Sequence, residues 1–200
     1  MADQLTGLLS PFLRSQRIAA ARPFLGHGNL LDIGCGTGEL AREVASANYL
    51  GVDRDQESIA IAQKEFPAHR FLSLAEFSSA PMEKRFDQIA GLAIIEHVDD
   101  PKQWLGWLRS LLNPGGRVIL TTPHPSMRWA HELGAKAGLF SREGAKEHRA
   151  LIDRGRMSEL VATAGFRIAH FRRFLLGCNQ LFVLESAPAG SGNFPLKNRN

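Results

Sequence analysis

The chain is poor in cysteine. Cys35 and Cys178 stand far apart in 200 residues, which excludes a disulfide framework and a zinc site built on cysteines, and suits a reducing compartment, the cytoplasm. No apolar run approaches the eighteen or more residues of a membrane span. The first residues carry Asp3 but no basic cluster followed by an apolar core, so the chain is expected to be neither exported nor embedded. Internal repeats are also missing. What remains, 44% hydrophobic and 22% charged residues, is ordinary for a globular domain with one core. A single domain over residues 1–186 is expected, opening with a helical segment at 1–28. Residues 187–200, rich in Gly, Ser, Pro and Asn with no acid, read as a disordered tail.

Against these absences stands one dense segment. Leu30 to Leu40 run Leu-Leu-Asp-Ile-Gly-Cys-Gly-Thr-Gly-Glu-Leu, and Asp53 follows Gly34 by nineteen residues. An apolar strand enters a Gly-x-Gly-x-Gly turn and a helical pattern follows, so a ligand can approach the backbone closely and meet free N–H groups. Asp53 ends a second apolar run, where a carboxylate can accept both hydroxyl protons of a ribose diol. The dinucleotide fingerprint would need glycine at position 39, where Glu39 stands and would crowd and repel a pyrophosphate. A nucleoside cofactor without phosphate fits better.

Elsewhere the periodicities alternate between strand and helix. Leu5, Leu8, Leu9, Phe12 and Leu13 recur at helical spacing and predict an amphipathic helix that packs on the sheet or covers the cofactor. Strands are expected at 29–33, 49–52, 70–72, 86–92, 117–122, 167–174 and 180–186. Helices are expected at 37–47, from a cap at Asp55 to about residue 65, from a cap at Asp100 to Leu112 with Pro101 at N1 and Gln103 in a capping box, and from Asp153 to Gly165. Asn113 to Gly116 breaks the chain. Pro123 and Pro125 forbid regular structure, and the insert at 123–150 is where specificity should reside. Strands alternating with helices imply an α/β, doubly wound sheet with its ligand at the carboxyl ends of the strands.

Four stretches, LLDIGCGTGELA, GVDRD, FDQIAGLAIIEHVDDP and LNPGGRVILTTP, occur in that order over roughly residues 29 to 125. They resemble the cofactor motifs of the class I S-adenosylmethionine-dependent methyltransferases. The resemblance implies a Rossmann-like seven-stranded sheet, mostly parallel with an antiparallel last strand beside the sixth and helices on both faces. It implies S-adenosylmethionine as donor and S-adenosylhomocysteine as product. Asp32 would hold the methionyl ammonium, directly or through water, and Gly34, Cys35, Gly36 and Gly38 would present backbone to the cofactor. Asp53 would take the ribose. Arg54 and the loop 73–76 would flank the adenine, with Leu74 and Ala75 where relatives often carry an acid and Glu76 as a substitute if the loop shifts. Leu92 and Ala93 would close the methionyl side. In the ubiquinone-pathway O-methyltransferases, which Glu96-His97 resembles most, a Glu-x-x-Glu-His pattern can hold a divalent metal. The first of those glutamates is Ala93 here, and one carboxylate with one imidazole suits magnesium poorly, so no metal is expected.

Methyl transfer from a sulfonium is an in-line displacement with a neutral leaving group, so alignment does most of the work and the acceptor alone needs activation. His97 after the fourth strand and His124 at the end of the fifth are the candidate bases; the plainer role of each is to order its loop. His148 and Trp129, with Met127 and Phe140, are candidates for the acceptor pocket, with packing beneath the loop as the alternative. Residues 128–173 hold ten Lys and Arg against five acids, which suits an anionic small molecule or is a solvated face. No aromatic-interleaved basic motif supports RNA binding. The function expected is methyl transfer to a small-molecule acceptor at oxygen or nitrogen. The alternatives are a non-catalytic binding protein of the same fold and, disfavoured by Glu39, an NAD-dependent oxidoreductase.

Overall fold

The computed structural model describes residues 10–79, 85–125 and 152–187. The expectations placed on Leu5, Leu8, Leu9, Met127, Trp129, Phe140 and His148, on most of the 123–150 insert and on the tail from 188 lie outside the described residues.

A seven-stranded sheet organises the chain. Its strands are β1 (Leu30–Ile33), β2 (Tyr49–Asp53), β3 (Arg70–Ser73), β4 (Phe86–Leu92), β5 (Leu112–Pro123), β6 (Phe166–Phe174) and β7 (Asn179–Ser186), in the order β3-β2-β1-β4-β5-β7-β6. The first five pair in parallel, and β7 enters antiparallel between β5 and β6. The order reverses between β1 and β4, so the loops after β1 and β4 part there and leave a crevice at the carboxyl ends.

Helices cover both faces. α3 (Leu74–Ser79), α4 (Pro101–Leu111) and α5 (Arg154–Thr163) bring Phe77, Leu105, Leu108, Met157 and Leu160 onto Leu31, Ile89, Val118 and Phe182. On the other face α1 (Ser10–Ala21) and α2 (Gln56–Glu65) contribute Ile18, Ile59 and Ala62 to a cluster with Leu30, Tyr49 and Phe71. Each of α2, α4 and α5 starts at an aspartate whose carboxylate accepts an amide of the first turn: Asp55 from Ser58, Asp100 from Gln103 and Asp153 from Arg156.

Four expectations need correction. The helix expected at 37–47 is instead two short 3-10 turns, Glu39–Glu43 and Ser46–Asn48, separated by the extended Val44. Of the apolar stripe expected on α1, Phe12 is 51% exposed, and the buried residues are Ile18, Ala20 and Ala21. The loop after β3 is helix α3. Strand β5 is longer than expected at both ends: Leu112 pairs with Phe86 and Arg117 with Gln88, so Asn113–Gly116 bulges out between two paired stretches. At the other end Pro123 pairs with Asn179, which antiparallel pairing allows because proline lacks only the donor.

Candidate functional site

The turn after β1 is built from three left-handed glycines: Gly34, Gly36 and Gly38 have φ of 74°, 53° and 85°. They are glycine for different reasons. A Cβ at Gly34 would stand 3.0 Å from the Ile94 side chain, and one at Gly38 would lie 2.9 Å from Phe71 and 3.1 Å from Ala62. Packing therefore demands Gly38. A Cβ at Gly36 would meet nothing within 4 Å, so that position faces open space at the strand ends. Gly34 and Cys35 donate their amides to the carbonyl of Val52, which locks the turn to the end of β2.

Asp53 completes that lock. Its carboxylate accepts from the Gly36 amide at 2.8 Å and from the Asp55 amide at 2.9 Å. The residue expected to take the ribose and the turn expected to cradle the cofactor are thus one hydrogen-bonded unit, and further lone pairs on the carboxylate remain for a diol. Asp32, buried one residue before Ile33, accepts from the Tyr49 hydroxyl at 2.7 Å. Burial pushes its carboxyl up to about 7, against the pull of that hydrogen bond, and Asp53 and Glu39 push it further. Burial also raises the Cys35 thiol and the Tyr49 hydroxyl, so the neutral thiol packs as an apolar side chain.

Two other residues have different partners from those expected. Glu39 accepts from the Thr37 hydroxyl at 2.8 Å and is ion-paired with Arg14 of α1. Its charge is therefore compensated, and exclusion of a pyrophosphate rests instead on the lack of a glycine and of an α-helical N-terminus at that position. Glu76 is taken by a capping box: it accepts from the Ser73 amide and hydroxyl, both at 2.7 Å, while Ser73 accepts from the Glu76 amide at 3.2 Å. That bonding, the Ser73 hydroxyl foremost, holds the Glu76 carboxyl below its ordinary range. Leu74 and Ala75 open α3 and are exposed, where an adenine could lie against them. The Ser-x-x-Glu signature was legible in the sequence and predicts this helix.

At the end of β4, Ala93 adopts φ of 60° and donates its amide to the carbonyl of Thr121, a left-handed conformation that costs a non-glycine residue energy. The single 3-10 turn Ile95–His97 follows. Glu96 within it is 1% exposed; burial raises its carboxyl to about 6, and the Arg17 guanidinium of α1 opposes that rise. The Thr122 hydroxyl lies beside the same carboxyl and lowers it slightly, without reaching a geometry that satisfies Glu96 Oε2. His97 is half-buried beside it. His124 continues the ladder past Pro123 by donating its amide to the Cys178 carbonyl at 2.8 Å. Burial first and Arg173 second lower its imidazole, with Asp153 opposing, so at neutral pH it is unprotonated. Among the described residues no cluster of three His, Cys, Asp or Glu is arranged to hold a metal, and no helix is long and apolar enough to cross a membrane.

A sheet of this order, with a glycine turn after β1 and an acid at the end of β2, is the fold of the class I S-adenosylmethionine-dependent methyltransferases. Residues 7–170 match the family model described as a methyltransferase domain, and the chain belongs to that family. Among curated relatives, the ubiquinone biosynthesis O-methyltransferase of Pseudomonas aeruginosa is 32% identical over 145 residues, 67% of this chain and 57% of that protein. The one from Cereibacter sphaeroides is 34% identical over 111 residues, 52% and 44% respectively. The matched stretch is 35% to 57% of the length of the first such relatives. Among solved structures, the magnesium protoporphyrin IX methyltransferase of Synechocystis, with bound S-adenosylhomocysteine, shares the fold at a TM-score of 0.68 and 16% identity, covering 90% of this chain and 88% of that one.

Proposed function

We propose that the protein transfers a methyl group from S-adenosylmethionine to an oxygen of a small-molecule acceptor. The observation that carries this reading is the hydrogen bond joining Gly36 to Asp53 beneath the open space over Gly36: a backbone cradle and a diol-binding carboxylate set at one depth. Oxygen is favoured by the relatives, whose printed activity is O-methylation.

The bound donor supplies a methyl on a sulfonium, whose departure leaves a neutral thioether. The chain's own residues then have four tasks in holding the donor. Asp32 meets the ammonium of the methionyl part, Asp53 accepts from the ribose hydroxyls, and Leu92 and Ala93 close the methionyl side while Leu74, Ala75 and Arg54 flank the adenine. Alignment of this kind can supply roughly 7–11 kcal/mol of barrier reduction. His97 and His124 stand on the neighbouring strand ends β4 and β5 and are the groups to take the acceptor's proton. The low imidazole pKa of His124 keeps it in the accepting form. The basic excess in residues 128–173 favours an acceptor with negative charge, and two free cysteines suit the cytoplasm.

Titration calorimetry tests the assignment. S-adenosylhomocysteine should bind and NAD should not, and Asp53→Ala should weaken the former by about 1–3 kcal/mol, the cost of lost hydrogen bonds to a charged acceptor. NAD binding without heat from S-adenosylhomocysteine would overturn the reading in favour of an oxidoreductase. A folded Asp53→Ala protein with unchanged affinity would remove Asp53 from the ribose.

A further inference from the structure

We propose that Arg14 is a positioning residue: from the N-terminal helix its guanidinium grips Thr37 and Glu39, the two side chains that flank Gly38, and so latches that helix onto the cofactor turn. This rests on the methyltransferase reading and adds a residue outside the cradle and outside the candidate bases.

The seating of α1 is the first reason. Its buried residues, Ile18, Ala20 and Ala21, all lie toward its end, where Ile18 packs with Leu30 and Tyr49 and Ala21 with Ile119 and Leu181. Arg172 of β6 adds a hydrogen bond to the carbonyl of Ala20 at 2.9 Å. Residues 10–17 contribute no buried side chain, so this half lacks the apolar face that ordinarily seats a helix. Its attachment is polar instead. Arg14 Nη1 donates to the Thr37 hydroxyl at 3.2 Å and pairs with Glu39 Oε1, and the Thr37 hydroxyl donates to that same oxygen at 2.8 Å. Three atoms thus close on one another, and the guanidinium holds hydroxyl and carboxylate as one unit. The further contact of this half, Arg17 Nε to Asn179 Oδ1 at 3.4 Å, is long for a hydrogen bond.

The place of the latch is the second reason. Glu39 opens the 3-10 turn that follows Gly38, and Thr37 follows Gly36, whose amide binds Asp53 at 2.8 Å beneath open space. The grip is therefore one residue from the cradle. At the other side Asn179 pairs with Pro123 at the end of β5, and β4 lies between β1 and β5. A helix that reaches from the turn after β1 to the ends of β5 and β7 crosses the mouth of the crevice. Latched, its amino half covers that side of the site; released, it swings from its seated end, and Thr37 and Glu39 lose the group that fixes them. The paired side chains are 32% and 31% exposed, which places them above an open surface pair in strength.

The test is a double-mutant cycle read by two measurements that need no acceptor: S-adenosylhomocysteine affinity by calorimetry, and hydrogen exchange of the helix amides. Arg14→Met and Glu39→Gln should each weaken affinity about fivefold, the upper end for a partly sheltered ion pair, and the double variant should be no worse than the worse single one. Exchange should speed at 14–17 and stay near wild type at 18–21, because only the amino half is released. Arg22→Met is the control. It removes an ion pair of the same kind, to Glu43 at the far end of the same 3-10 turn, and should leave affinity and the 14–17 amides at wild-type values. Additive losses overturn the latch, as does wild-type affinity in both single variants. A loss in Arg14→Met with Glu39→Gln at wild-type values also overturns it and makes Arg14 a direct ligand contact. An equal loss in Arg22→Met overturns it as a general loosening of the turn, and so does exchange that speeds evenly over 14–21. If Glu39→Gln does not fold, Arg14→Met against Arg22→Met decides by the same criteria. Wild-type protein that binds no S-adenosylhomocysteine defeats the methyltransferase reading, and the exchange measurements still judge the latch.

Discussion

Asp32 sits near its midpoint at neutral pH because burial, more than any neighbour, lifts its carboxyl to about 7. An ammonium brought next to it favours the carboxylate, so ligand binding lowers that pKa and releases a proton. Calorimetry at pH 7 in buffers of different ionisation enthalpy should register release of about half a proton per S-adenosylhomocysteine, and Asp32→Asn should remove it. The glycines separate in the same way. Gly36→Ala should fold with a penalty of roughly 1–2 kcal/mol for its left-handed backbone and lose most of its affinity, because the new methyl enters the ligand's space. Gly38→Ala should instead lower Tm through its clash with Phe71. Sequence spacing identified both as turn glycines. It could not tell them apart, because what separates them is Phe71, thirty-three residues away in the chain and packed against only one of the two.

Among the elements, those that the sequence marked clearly have local causes. Asp55, Asp100 and Asp153 were readable as caps because a cap needs only a side chain and an amide three residues on. The helix expected after the glycine turn failed on a longer-range cause: Glu39 bonds to Thr37 and pairs with Arg14, and Val44 is extended, so the segment tightens into 3-10 turns. The burial of Glu96 was not legible either, since it depends on how distant elements pack over the turn after β4. The β6–β7 connection carries a further prediction. Leu175 and Leu176 have φ of 52° and 53°, Gly177 donates back to the Phe174 carbonyl at 3.1 Å, and Leu176 is fully exposed. Such a turn prefers Asn-Gly, so Leu175→Asn with Leu176→Gly should stabilise the protein by about 1–2 kcal/mol, seen as a Tm higher by a few degrees.

At the scale of the molecule, Asp32 and Glu96 both take up protons more readily folded than unfolded, at about 7 and about 6. A raised carboxyl contributes stability that is complete at low pH and lost as pH climbs through the folded pKa. His124, lowered by burial, works in the opposite sense as pH falls below its ordinary value of 6.5, so the clean window opens above that value. Ligand-free protein should show Tm falling from pH 6.5 to 8, and saturating S-adenosylhomocysteine should flatten the fall by keeping Asp32 ionised throughout. The sheet order itself was legible only through the resemblance to the family, because no local pattern says that the last strand inserts. That insertion has a consequence for how the chain acquires its shape. Among the described residues β6 pairs with no strand but β7, and β5 has β7 as its outer neighbour. Until residues 179–186 are made, a nascent chain can assemble β1 to β5 around the cofactor turn, but β5 offers a bare edge and β6 has nothing to join. The Arg17 contact at Asn179 waits on the same event, so α1 gains its hold at that end of the sheet only once β7 is in place.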